Sequence, residues 1–137
     1  MYLFNKFKCV NGIINIGVIK TALKHLFGET PVVKILDFLI DHKGYEYSKT
    51  EIADNSDIEW AAFNRHWILL EEWELVKESR RVGNETRYTL NEENTIVRRL
   101  LEFDHEAAIY MSERIAEKET AIEKVHRAGV EAIKIHG

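Results

Sequence analysis

"SDIEWAAFNRHW", residues 56–67, decides the fold of this chain. Ser56 stands three residues before Glu59, the spacing of a capping box in which each residue satisfies a backbone amide of the other. Beyond it Phe63, Trp67, Leu70 and Trp73 recur at intervals of three and four, so the spacing predicts a helix over about 57–73 with one apolar side. Trp60, Ala61, Asn64, Arg65 and Ile68 are left on the outer side. An Asn and an Arg on an exposed helix face suit base edges in a DNA groove, yet the first turn carries Asp57 and Glu59. If Glu59 serves the cap and the positive helix end, the acid need not face an anion.

Upstream, "TPVVKILDFLIDHKG" predicts a helix that Thr30 caps and Pro31 begins, with Val32, Ile35, Leu36, Leu39 and Ile40 inward and Gly44 closing it. Ser48 and Glu51 form another capping box, which opens a short helix through Ile52 and Ala53, and Tyr47 before it is placed to pair with a later strand. A first short helix is expected from Val18 to Phe27, closed by Gly28, and Asn11-Gly12 gives a hairpin signal in a segment that reads equally well as an arm.

Downstream, "LVKESRRVGNETRYTLN" predicts a β-hairpin around Gly83-Asn84 with Val76, Val82, Tyr88 and Leu90 as anchors. A three-residue loop sets Arg81 opposite Arg87, and a two-residue loop sets Arg80 there. Facing guanidinium groups destabilise a sheet, so an anion is expected between them unless Glu78 and Glu85 serve as local counter-charges instead. From about Asn94 to Arg127 the chain lacks Pro and Gly, which predicts a helix of about 50 Å ended by Gly129. Along it Val97, Leu100, Leu101, Ala107, Ala108, Met111, Ile115, Ile122 and Val125 keep a stripe near the coiled-coil period, interrupted by Asp104 and Lys118. So long a stripe exceeds what a small domain can cover, which points to a second copy of the chain.

The 137 residues, 45% hydrophobic, suffice for one domain with a core. A net charge of −4 gives no general attraction to nucleic acid, so any such binding must come from local clusters of Lys and Arg. Residues 46–74 hold eight acids against two bases, whereas residues 76–88 hold four bases against two acids. Phosphate affinity is therefore expected in the hairpin and base choice in the helix. The lone Cys9 excludes an internal disulfide and fits a reducing, cytoplasmic location. Lys6, Lys8, Lys20 and Lys24 interrupt the one apolar region that approaches a membrane span, and no small-residue cleavage site follows it. The six histidines show no metal-ligand spacing and "HEAAIYM" lacks the second His of a zinc-protease helix, so no metal, cofactor or enzymatic activity is expected. Abundant Lys, Glu and Ile without glutamine lean towards a thermophile.

Three helices and then a hairpin is the order of a winged helix-turn-helix. Through "FGETPVVKILDFLI", "YSKTEIA" and "LLEEWELVKESRRVGNETRYTLNEENTIVRRLLEFD" the chain resembles archaeal winged-helix transcriptional regulators, similar in form to the MarR, ArsR and PadR groups, over about residues 27–104. The resemblance implies a DNA-binding domain over 27–93; with an N-terminal arm (1–26) and a long C-terminal dimerisation helix with a tail (94–137), the expected fold is α+β, mainly α, a winged helix-turn-helix with a long C-terminal helix. The resemblance also implies duplex DNA as partner, gripped by Ser48, Lys49 and Thr50 at a helix start, by Trp60, Ala61, Asn64 and Arg65 on the recognition helix, and by Arg80, Arg81 and Arg87 on the wing. The homodimer would close through Val97, Leu100, Leu101, Ala108, Met111, Ile115, Ile122 and Val125. Relatives usually start the recognition helix with Ser, Thr or Arg where this chain has "DIEWAA". Two alternatives use the same residues: a protein-interaction module built on exposed Trp60, and a sensor with a small-molecule effector in the cleft between long helices.

Overall fold

The computed structural model describes residues 21–136, the last six only as helix. Thr21 caps α1 (Ala22–Phe27), and Gly28 ends it at φ 82°, a value open to glycine without steric cost. The expected start of this helix at Val18, and the Asn11-Gly12 turn, lie outside the described residues. α2 (Pro31–Asp41) starts on Thr30, whose hydroxyl accepts from the Val33 amide, and it buries Ile35, Leu36, Phe38, Leu39 and Ile40. α3 (Lys49–Asn55) opens on both halves of the Ser48–Glu51 capping box. Tyr47 exchanges backbone hydrogen bonds of 2.9 and 2.8 Å with Tyr88, so the residue before that cap extends the hairpin by one bridge.

The second capping box does not form. Ser56 ends α3, with its amide donating to Ile52 O at 2.9 Å, and its αR backbone rules out the extended geometry of an N-cap. Asp57 then reverses the chain at φ 55°, and α4 (Trp60–Glu72) begins three residues later than the sequence predicts. Glu59 occupies the N-cap position without a side-chain cap bond, so its carboxylate acts only through the helix dipole. Phe63, Trp67 and Leu70 are buried as expected, but Trp73 is 56% exposed. The helix stops at Glu72, Glu74 turns at φ 54°, and Leu75 takes the inward place instead.

Asn91 and Asn94 hold that turn, their side-chain amides donating to Glu74 O at 2.9 and 3.0 Å, with Asn94 also reaching Trp73 O. The Asn94 Oδ1 accepts from the Ile96 amide at 2.7 Å, so one side chain joins the end of α4 to the start of α5 (Thr95–His136). Between them β1 (Val76–Val82) and β2 (Glu85–Leu90) form an antiparallel hairpin. Gly83-Asn84 is a two-residue turn and Arg80 faces Arg87, one of the two registers the sequence allows; Ser79 bulges out beside them. This is a winged helix-turn-helix, mainly helical, with a long C-terminal helix.

α5 runs straight through Gly129, which the sequence predicts as its end, to a length of about 63 Å at the helical rise per residue. One glycine in a helix interior costs only about 1 kcal/mol, too little to stop 42 residues. Val97 is fully buried among α2, α4 and the hairpin, so it belongs to the domain's own core and leaves the expected dimer seam. Leu100, Leu101 and Phe103 pack partly against the same core, and Phe27 meets Phe103 at 6.0 Å between ring centroids.

Where α1, α2 and α5 meet, three carboxyl groups come together. Asp37 is buried with Lys24 3.3 Å away. Burial, then the charges of Asp37 and Asp104, push Asp41 up to about 7, against smaller opposing effects of His42 and Lys24. Burial and Asp37 likewise raise Asp104. For a carboxyl whose folded pKa lies above its unfolded value, stability is fully present below the unfolded pKa and is lost as pH rises through the folded one. Asp41 also ends α2, where a negative charge opposes the helix dipole. Asp41→Asn, an analogue of the neutral acid, should therefore stabilise by on the order of 1 kcal/mol at pH 8 and hardly at all at pH 4. Urea denaturation at the two pH values checks this; equal effects at both would show that the charge of Asp41 is not the cause.

Candidate nucleic-acid interface

α4 is anchored by a ladder of rings that begins in solvent and ends under the wing. Trp60 stacks on Phe63 at 5.6 Å, Phe63 stacks on Trp67 at 5.1 Å, and Trp67 meets Tyr88 of β2 edge-on at 5.1 Å. Lys49 Nζ lies 5.8 Å from the Trp67 ring and 5.4 Å from the Tyr88 ring, and 3.5 Å from Glu71. The first turn of α3, α4 and the hairpin thus share one set of contacts. Opposite the ladder, α4 exposes Ala61, Arg65 and Ile68 with Asn64 half-buried, the face that the spacing predicts. Trp60 remains half exposed, with one ring face covered by Phe63.

The residues expected at phosphate differ sharply in their availability. Ser48 is buried and its side chain is committed to the cap. Lys49 is held by Glu71 and two rings, whereas Thr50 is exposed. On the wing, the anions expected between the facing arginines are carboxylates of the chain itself. Arg80 is paired with Glu46, which also accepts from Ser79 Oγ. Arg87 donates to Glu51 at 2.8 Å and meets Glu85 at 3.1 Å. Glu85 is one of the counter-charges the sequence offers; Glu46 and Glu51 take the place given to Glu78. The Ser79 hydrogen bond and then Arg80 hold the Glu46 carboxyl below the usual range, so it stays charged at neutral pH. Lys77 lies 3.7 Å from Glu93. Among the described residues of α4 and the wing, Arg65 and Arg81 are the cations without an ion-pair partner.

Glu51 is legible in the sequence only as a cap, yet one of its oxygens serves both the Ser48 amide and Arg87, each at 2.8 Å. The pairing of Tyr47 with Tyr88 carries the missing signal, because it brings the neighbours of Tyr47 beside Arg87.

On the long helix, Leu100 and Leu101 are partly buried by the domain, Ala108, Met111 and Ile115 are half-buried, and Ile122 and Val125 are exposed. None of the described helices is long and apolar enough to cross a membrane.

No family model matches the chain, and no curated protein does. Among solved structures, it is similar to a cysteine-to-serine mutant of ZitR from Lactococcus lactis, at 21% identity and a TM-score of 0.47 over 73% of each chain. The same mutant in complex with DNA gives 21% and 0.45, again over 73% of each. The adhesin competence repressor AdcR of Streptococcus pyogenes gives 16% and 0.45 over the whole of both chains.

Proposed function

We propose that this chain is a sequence-specific, double-stranded-DNA-binding transcriptional regulator that acts as a cytoplasmic homodimer. The observation that carries the reading is the division of α4: Phe63, Trp67 and Leu70 are buried, while Ala61, Asn64 and Arg65 face outward beside a wing with a free Arg81. Arg65 suits the two acceptors of guanine, Asn64 suits adenine, and Ala61 or the free edge of Trp60 suits a thymine methyl. Arg81 supplies charge without base preference. Thr50, exposed in the first turn of α3, and the Lys49 amide next to the cap would fix the angle of approach.

The test is binding to fragments of the native genome, including the chain's own upstream region, at two salt concentrations. Arg81→Ala should weaken binding on every fragment and flatten the salt dependence by about one counterion. Asn64→Ala and Arg65→Ala should each cost about 1–3 kcal/mol on the preferred fragment and little elsewhere. Absence of binding by the native chain at low salt overturns the proposal. One observation favours a second reading in that event: Trp60, Ile68, Leu69 and Trp73 together expose much apolar surface on and just beyond α4, which suits a protein partner.

A further inference from the structure

The wing holds two arginines face to face, and each meets a carboxylate from the segment that leads into and begins α3. The two ion pairs are not alike. The Arg87 side chain is 24% exposed and its partner Glu51 is fixed by the capping box, so this pair joins elements of the fold. The Arg80 side chain is 67% exposed, and its partner Glu46 lies in the connection between α2 and α3, outside any cap. Among the described residues Glu46 is hydrogen-bonded from the hairpin side, by Ser79 and Arg80, and the Ser79 bulge is what brings both donors to one carboxylate. Beside this pair an open groove of about 540 Å³, lined by Tyr45, Glu46, Ser79, Arg80, Arg87 and Thr89, leaves room for a larger anion.

From this geometry we infer that Glu46 is an internal phosphate substitute that masks Arg80, so that the wing grips duplex DNA weakly until a backbone phosphate displaces the carboxylate. The inference rests on the DNA-binding reading above and adds to it a self-masking contact. Two acceptor oxygens of a phosphodiester reproduce what Glu46 offers Ser79 Oγ and Arg80 Nε, so exchange leaves no donor unsatisfied. The released carboxylate returns to water, and its charge repels the incoming strand until then. Because Glu46 stays ionised at neutral pH, the mask responds to polyanion and to salt rather than to small changes of pH.

The experiment measures affinity for a selected fragment and for an unrelated duplex over a salt series, using the native chain, Glu46→Gln, Arg80→Ala and the double variant. Glu46→Gln should bind both duplexes about 5- to 10-fold more tightly and steepen the salt slope by about one counterion. Arg80→Ala should weaken binding to both duplexes, since it removes the group that takes the phosphate, and Glu46→Gln added to Arg80→Ala should bring no further gain. If the native chain binds but Glu46→Gln binds no better, with an unchanged slope, the mask is wrong while the DNA reading stands. If neither the native chain nor Glu46→Gln binds at low salt, both fall together. If Glu46→Gln still tightens binding when added to Arg80→Ala, the mask is wrong, because that gain does not pass through Arg80 and comes from the change of charge alone. Circular dichroism of each variant establishes that the comparison is between folded chains.

Discussion

Trp67→Ala should cost about 3–5 kcal/mol of stability, a large share of the roughly 5–15 kcal/mol that holds a domain together. Trp67 is 1% exposed, stacks on Phe63 and meets Tyr88, so its loss opens a cavity between α4 and the hairpin. Lys49 also loses the ring it lies over. The indole Nε1 has no hydrogen-bond partner among the described residues, so the N–H itself contributes nothing that a phenyl ring would forfeit. Trp67→Phe should accordingly cost only about 1–2 kcal/mol, the effect of reduced volume. Chemical denaturation of both variants measures the difference. An alanine variant within about 1 kcal/mol of the native chain would mean that the site collapses around the gap, and the ladder does not couple helix to wing.

The parts of this fold that depend on neighbours in sequence are legible there. Thr30 with Pro31, the Ser48–Glu51 box, the inward face of α4 and the Gly83-Asn84 turn each need fewer than about ten residues to specify them, and each forms. Ser56 shows the limit of the same signal. Its spacing to Glu59 is right for a cap, but the last turn of α3 claims its backbone first, and the chain has one Ser56 for two helix ends. Trp73 fails for a similar reason, because periodicity cannot show where a left-handed Glu74 ends the helix. The wing is readable as basic and arginine-paired, but not as neutralised. Arg80 meets a residue 34 positions away and Arg87 one 36 away, and such separations leave no periodic trace. The three clustered acids are invisible for the same reason, since Asp37 and Asp104 meet only through the docking of α5.

The largest effect on function should come from the far half of α5. Leu101, Ala108, Ile115 and Ile122 are seven residues apart, as are Val97, Asp104, Met111, Lys118 and Val125, so the two sets together describe a seam of coiled-coil period. The domain itself covers the start of that seam at Val97 and Asp104, Ala108, Met111 and Ile115 are half-buried, and Ile122 and Val125 are 69% and 74% exposed. A helix that carries apolar residues at this period for about 40 Å beyond its domain is stable in water when a second helix lies along it. A chain truncated after Ser112 keeps every core residue and loses Ile115, Ile122 and Val125. It should remain folded, sediment as a monomer under conditions where the full chain is expected to sediment as a dimer, and bind its selected DNA fragment about 100-fold or more weakly, the result expected if the proposed dimer engages two half-sites together. Ile115→Glu with Ile122→Glu in the full-length chain should do the same without changing its length. If the full chain is itself a monomer at tens of micromolar, or the truncated chain binds DNA as tightly, the seam serves another partner and the two-fold arrangement on DNA is wrong.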